Sequence, residues 1–355
     1  MNGDISTPRP LDTPPESTAL YREAAGAADT VANQLERNDA VVRDLAAALR
    51  GDPPPFVVTC ARGSSDHAAT YAKYVIETQT GCVTASASPS VESIYEVPLR
   101  LAGALYLVIS QSGASPDLLR SAEAARNAGA RVVALVNAES SPLAALADSV
   151  VPLQAGPERS VAATKSFIGS MSAVLHLVAH WRQDAALLDA LHDLPEHLHR
   201  AFALDWSALV EGLRDVRDLF VLGRGYGLAT AQEAALKLKE TCALHAEAFS
   251  SAEVRHGPME LVGPALPVLL FAQTDDALAG VLATAEDFRR RGAEVWAAAP
   301  QASGPHALPI VPTGQPLLSP ILAIQSFYRA VNALAIARGR DPDHPPHLAK
   351  ITETV

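Results

Sequence analysis

Apolar residues along this chain fall into two kinds of run. Between residues 20 and 50, Val31, Leu35, Val41, Val42, Leu45 and Leu49 recur at helical spacing, and "GDPPP" at 51–55 ends the pattern. Short unbroken runs come next. "FVVTC" (56–60), "LYLVIS" (105–110) and "ARVVALV" (130–136) read as buried strands, each bounded by turn residues. The intervening "DHAATYAKYVIET" and "LLRSAEAARNAG" are amphipathic and read as helices. Strands alternating with helices predict a parallel sheet covered on both faces.

The same order then recurs. "LFVLGRGYGLATAQEAALKLKE" (219–240) parallels the segment beginning at Phe56, and residues 267–299 parallel 105–136. Gln111 matches Gln273 and Gly129 matches Gly292 at a nearly constant offset, which duplication explains better than chance. The predicted class is α/β, with two tandem doubly wound parallel-sheet domains and helices on both faces of each sheet. The expected boundaries are a first domain over 21–185, a linker helix region over 186–205, a second domain over 206–340 and a C-terminal tail over 341–355. The opening "MNGDISTPRPLDTPPEST" has the Pro and Thr content of a disordered tail, expected over 1–20, and no signal-peptide pattern.

Composition narrows the classes. A length of 355 residues suits two domains, and 48% hydrophobic with 19% charged residues suits a packed soluble chain. A net charge of −11 argues against a nucleic-acid partner. Cys60, Cys82 and Cys242 are scattered and read as reduced thiols. No apolar stretch reaches the roughly 20 residues of a membrane span, so a cytoplasmic protein without a membrane partner is expected.

Candidate chemistry concentrates in three places. The strand at 105–110 runs into "SQSGASPD", where Ser110, Ser112 and Ser115 surround Gly113. A second loop, Gly63-Ser64-Ser65, ends the preceding strand. Simple capping accounts for either loop alone. Two adjacent loops of one composition, at strand ends where helix N-termini present free N–H groups, favour a phosphate site in the first domain. The counterpart loop, Ala272 to Asp276, carries Asp275 and Asp276, which repel an anion. In the second half Glu233, Lys237 and Glu240 share a helix face. A solvated salt-bridged face is the ordinary reading of that pattern, while the neighbouring Leu236 and Leu238 point to a half-buried proton shuttle. A loop histidine such as His256 in "VRHGPM" is ordinarily structural or exposed. In the closing "HPPHLAKITETV", the prolines fix the path and Leu348 and Ala349 serve as anchors, holding Lys350 in place. No metal-like spacing is visible, and "GRGYG" lacks the full dinucleotide pattern, so no metal and no cofactor are expected.

In this order, "SQSGASPD", "ERSVAATKSF", "EAALKLKE", "HAEAFSSAEVRHGP" and "HLAK" resemble the tandem sugar-isomerase (SIS) domain family. The likeness runs from about residue 30 to the end of the chain. It covers the isomerase half of glutamine–fructose-6-phosphate aminotransferase and the stand-alone amino-sugar-phosphate isomerases and deaminases. The resemblance implies flavodoxin-like domains and a phosphosugar substrate. Ser110, Gln111, Ser112, Ser115 and Ser65 would hold the phosphate, with Gly63, Val161 and Ala349 lining the sugar. Glu240 would move a proton between C1 and C2 with Lys237 beside it. His256 would open the ring from a neighbouring subunit, implying a homodimer, and Lys350 would form a Schiff base with the ketose.

The chain also departs from the family pattern. Asn2 stands where glutamine-using members carry Cys, so no glutaminase domain is expected. Pro346-His347 replaces an Arg-Asn pair, and "AAT" at 162–164 replaces a serine. The preferred expectation is a glucosamine-6-phosphate deaminase. An isomerase or deglycase of another phosphosugar, or ammonia-dependent synthesis, is the alternative. A non-catalytic sensor predicts loss of the Glu, His and Lys set, which is present.

Overall fold

The computed structural model describes residues 10–350. After a short helix α1 (Ala19–Ala25), the long α2 (Ala27–Gly51) ends at the proline run, where the missing N–H groups forbid another turn. The first sheet follows: β1 (Val57–Cys60), α3 (Ser64–Thr80), β2 (Thr84–Ser86), α4 (Ser90–Ser93), β3 (Leu105–Ser110), α5 (Pro116–Asn127), β4 (Arg131–Val136), α6 (Pro142–Leu146) and β5 (Ser149–Pro152). Four helices separate it from the second sheet: α7 (Lys165–Arg182), α8 (Ala185–His192), α9 (Leu194–Ala203) and α10 (Ser207–Leu213). The second sheet comprises β6 (Asp218–Gly223), α11 (Gly227–Cys242), β7 (His245–Ser250), β8 (Val268–Phe271), α12 (Leu278–Arg290), β9 (Val295–Ala298) and β10 (Ala307–Leu308). A final helix, α13, spans Ser319–Ala337.

Both sheets are fully parallel and five-stranded, with orders β2-β1-β3-β4-β5 and β7-β6-β8-β9-β10. Renumbered from its own first strand, each reads 2-1-3-4-5. The duplication inferred from spacing is therefore a duplication of topology.

The chain divides into two compact units. The first holds Gly26–Glu158 and Lys165–Glu196. In it α2, α3 and α7 cover one face of the sheet, and α5 and α6 cover the other over a core that includes Tyr106, Val108, Leu118, Val132 and Leu143. Buried polar groups tie α2 down: the Gln34 amide donates to the carbonyls of Leu153 (3.1 Å) and Gly169 (2.9 Å), and that of Asn38 donates to Pro152 (2.6 Å).

The second unit holds, of the described residues, 10–25, Arg159–Thr164 and His197–Lys350. Its sheet packs Phe220, Leu270, Val281, Phe288 and Val295 on one face, with α11 and α13 against the other. Helix α13 has the length and apolarity of a membrane span, but most of it is buried inside this unit, which accounts for its composition. The segment 159–164, with Val161, therefore sits with the second unit rather than with the 21–185 domain expected from the sequence.

The tail expected to be disordered over 1–20 also differs. Residues 1–9 lie outside the described residues. In the rest, Leu11 N–H donates to the Ile336 carbonyl, the Thr18 hydroxyl to the Asn332 side chain and the Asn332 amide to the Pro15 carbonyl, so α13 orders the segment.

Candidate functional site

The strand order places a topological switch point between β1 and β3, whose crossovers leave to opposite faces of the first sheet. Ligands in such sheets bind beyond the carboxyl ends of those two strands. The two Ser/Gly loops picked out in the sequence are the ones that leave β1 and β3. Gly63 precedes Ser64 and Ser65 at the start of α3, while Ser115 occupies the N-cap position of α5, ahead of a proline that needs no N–H partner. The Ser110 hydroxyl accepts from Gly113 N–H at 3.0 Å and that of Ser112 from Ala114 N–H at 3.4 Å, which folds the loop into a tight cradle. Gln111, Ser112 and Ser115 are half-buried. Arg62, in the β1 loop, donates to Asp117 in the first turn of α5 at 2.8 Å and so latches the two loops together. The sequence reading missed this pair; the Asp of "SQSGASPD" was its one visible signal.

Gly113 is obligatory. Its φ is +62°, and a Cβ there would lie 2.2 Å from Ser141 Oγ and 2.8 Å from Val136 Cγ2. Left-handed strain plus overpacking leads us to expect Gly113→Ala to cost about 2–4 kcal/mol, measured by urea unfolding.

The second sheet's switch point is filled by its own residues. Gln273 donates to the Arg224 carbonyl at 2.9 Å and to Asp275 at 2.7 Å, and a Cβ on Gly227 would meet the Gln273 carbonyl oxygen at 2.7 Å. The glycines of "GRGYG" thus serve close packing of β6, α11 and Gln273.

In the second unit, α11 carries the carboxylate–ammonium group. Lys237 is fully buried, with its Nζ 2.5 Å from Glu240 and 3.3 Å from Glu233, which is also fully buried and accepts from the Tyr328 hydroxyl at 3.2 Å. Burial pulls the Lys237 pKa down, but the charges and hydrogen bonds of Glu233 and Glu240 outweigh it and leave the pKa raised. Glu240, 19% exposed, lines a cavity of about 370 Å³ walled by Arg340 and by the tail from Pro345 to Leu348. One carboxylate is therefore held at a cavity wall by an ammonium that is itself fixed. A solvated ion-pair face, the ordinary reading, does not describe this arrangement.

The tail is anchored differently from expectation. Leu348 and Ala349 are exposed. Pro342 and Pro345 are buried instead, and Asp343 accepts from Ala19 and Leu20 N–H groups at 2.6 and 2.8 Å, capping α1. Lys350 donates to the Ser160 carbonyl at 2.7 Å, while Glu23 accepts from the backbone N–H groups of Arg159 and Ser160. Lys350 and half-buried Val161 are thereby brought to one segment. His256 ends a short 3-10 turn and is exposed. His347, at the position that departs from the family, lines the Glu240 cavity together with Arg340, which the sequence reading passed over. It also found no metal-ligating set, whereas the fold gathers Asp39, His176 and His180.

The SIS domain matches residues 56–180 and 212–306. An isomerizing glutamine–fructose-6-phosphate aminotransferase of Thermus thermophilus is 32% identical over 93% of this chain and 57% of its own length. The chain spans about half the length of the curated relatives it matches. A candidate phosphosugar isomerase of Silicibacter pomeroyi DSS-3 superposes with a TM-score of 0.88 at 44% identity, over 92% of this chain and all of that one. A glucosamine-6-phosphate deaminase of Thermotoga maritima has a TM-score of 0.79 at 20% identity, over 95% and 100%, a likeness of fold. With both halves of the chain matched and one strand order shared by both sheets, this protein belongs to the SIS domain family.

Proposed function

We propose that this protein is a phosphosugar isomerase that acts as a glucosamine-6-phosphate deaminase. The observation that carries the reading is the Glu240 carboxylate, clamped by buried Lys237 at the wall of a cavity. Moving a proton between adjacent sugar carbons needs one base that can collect and return it without being displaced. Kinship with the aminotransferase over nearly the whole chain supports an amino sugar.

Ser65, Ser110, Gln111, Ser112 and Ser115 take the phosphate through neutral donors. His256, exposed on the single chain, is assigned to ring opening in a neighbouring subunit. Glu240 removes the C2 proton of the open aldose and returns it at C1 while one proton of the C2 ammonium passes to O1, leaving a hydroxyl at C1 and an iminium at C2. The Lys350 amine adds there and expels ammonia. Water then hydrolyses the resulting Schiff base to fructose 6-phosphate and the free lysine.

The purified protein mixed with glucosamine 6-phosphate should release ammonia and fructose 6-phosphate in equal amounts. Ketose without ammonia from other hexose 6-phosphates would make it a plain isomerase, and binding without turnover would make it a sensor.

A further inference from the structure

A second constellation lies outside this chemistry. On α7, "HLVAH" places His176 and His180 one turn apart on the face toward α2, which contributes Asp39. The two Nε2 atoms face each other at 3.2 Å, and His180 Nε2 lies 3.5 Å from Asp39 Oδ1. In a tetrahedral site with zinc–ligand bonds near 2.0–2.1 Å, neighbouring ligand atoms sit about 3.3 Å apart. All three donor atoms lie within 4.8 Å of one another, so a small rotation of half-exposed Asp39 closes the third edge.

We propose that Asp39, His176 and His180 form a binding site for a divalent transition-metal ion of the zinc class, clamping α2 to α7 in the first unit. The donor set selects the ion: two imidazoles with one carboxylate suit zinc, cobalt or nickel and disfavour calcium and magnesium. The Asp39 carboxylate is already oriented, because Arg43 holds Oδ2 at 2.8 Å and leaves Oδ1 toward His180. No hydrogen bond at His176 Nδ1 fixes that ring's tautomer among the described residues, so Nε2 is able to offer its lone pair. Burial lowers the His176 pKa to about 4, the nearby His180 adding to the effect, and burial lowers that of His180 too. The site opens on a cavity of about 640 Å³ lined also by Glu36, Asp189 and His192, which leaves room for a fourth ligand or a water. Two facing imidazoles without a cation satisfy only one N–H between them. An ion takes both lone pairs.

The test uses the untagged full chain, stripped with chelator and titrated with cobalt(II). Expected are one equivalent bound, the intense visible bands of a four-coordinate ion, displacement by zinc, and a zinc-dependent rise in Tm. His180→Ala and Asp39→Asn should each weaken cobalt binding by more than about 100-fold, beyond the effect of removing a supporting partner. Should His180→Ala not fold, Asp39→Asn on the half-exposed α2 face carries the comparison. No visible bands in the wild type, or binding unchanged by Asp39→Asn, overturns the site.

Discussion

Glu240→Gln is expected to lower turnover of glucosamine 6-phosphate by about 10²–10⁴-fold, the usual contribution of a positioned base. Binding of the sugar phosphate should change little. The amide matches the carboxylate in shape and still offers an oxygen to the Lys237 ammonium that sits 2.5 Å away. It cannot accept the C2 proton. The phosphate contacts, assigned to the loops after β1 and β3, are untouched by the substitution. Steady-state kinetics give the rate and calorimetric titration with the sugar phosphate gives the affinity. A variant that keeps a near-normal kcat removes Glu240 from the base role. A variant that loses affinity and rate together instead makes Glu240 a binding group.

How far the sequence reached depends on where each feature's information lies. The central strands β1, β3, β4, β6, β8 and β9 are covered on both faces and so read as short apolar runs. The edge strands β2, β5, β7 and β10 gave no such signal. "TAS" and "SVVP" are brief and partly exposed, and "HAEAFS" hides only Ala246 fully, so their pairing is decided by the neighbouring strand. A single long helix over 20–50 was expected; the chain breaks at Gly26 into α1 and α2, which join different units. Ser110, Ser65 and the carboxylate–lysine face were legible because they sit inside continuous motifs. The Arg62–Asp117 latch and the Asp39–His176–His180 set join residues far apart in the chain, and only the fold brings them within reach.

Lys237→Met should destabilise the protein by about 3–5 kcal/mol, the cost of removing one partner from a buried ionic group. Methionine fills much the same volume, so the loss is electrostatic rather than a cavity effect. Glu233 keeps the Tyr328 hydroxyl at 3.2 Å but loses the ammonium that balances it inside α11 and α13. Adding Glu233→Gln to Lys237→Met should recover part of the loss, because a neutral amide costs far less to bury than a carboxylate. The pH dependence carries a definite sign. The folded-state pKa of Lys237 lies above its ordinary 10.5, so its stabilisation is complete below that value and disappears only as pH rises through the folded one. Urea unfolding should therefore give the same gap between wild type and Lys237→Met throughout the neutral range, narrowing only in strong alkali. A gap that closes near neutral pH would mean that the ammonium is not the group holding the two carboxylates together. Glu240 would then owe its position to the surrounding backbone, and Lys237→Met would spare turnover as well as stability.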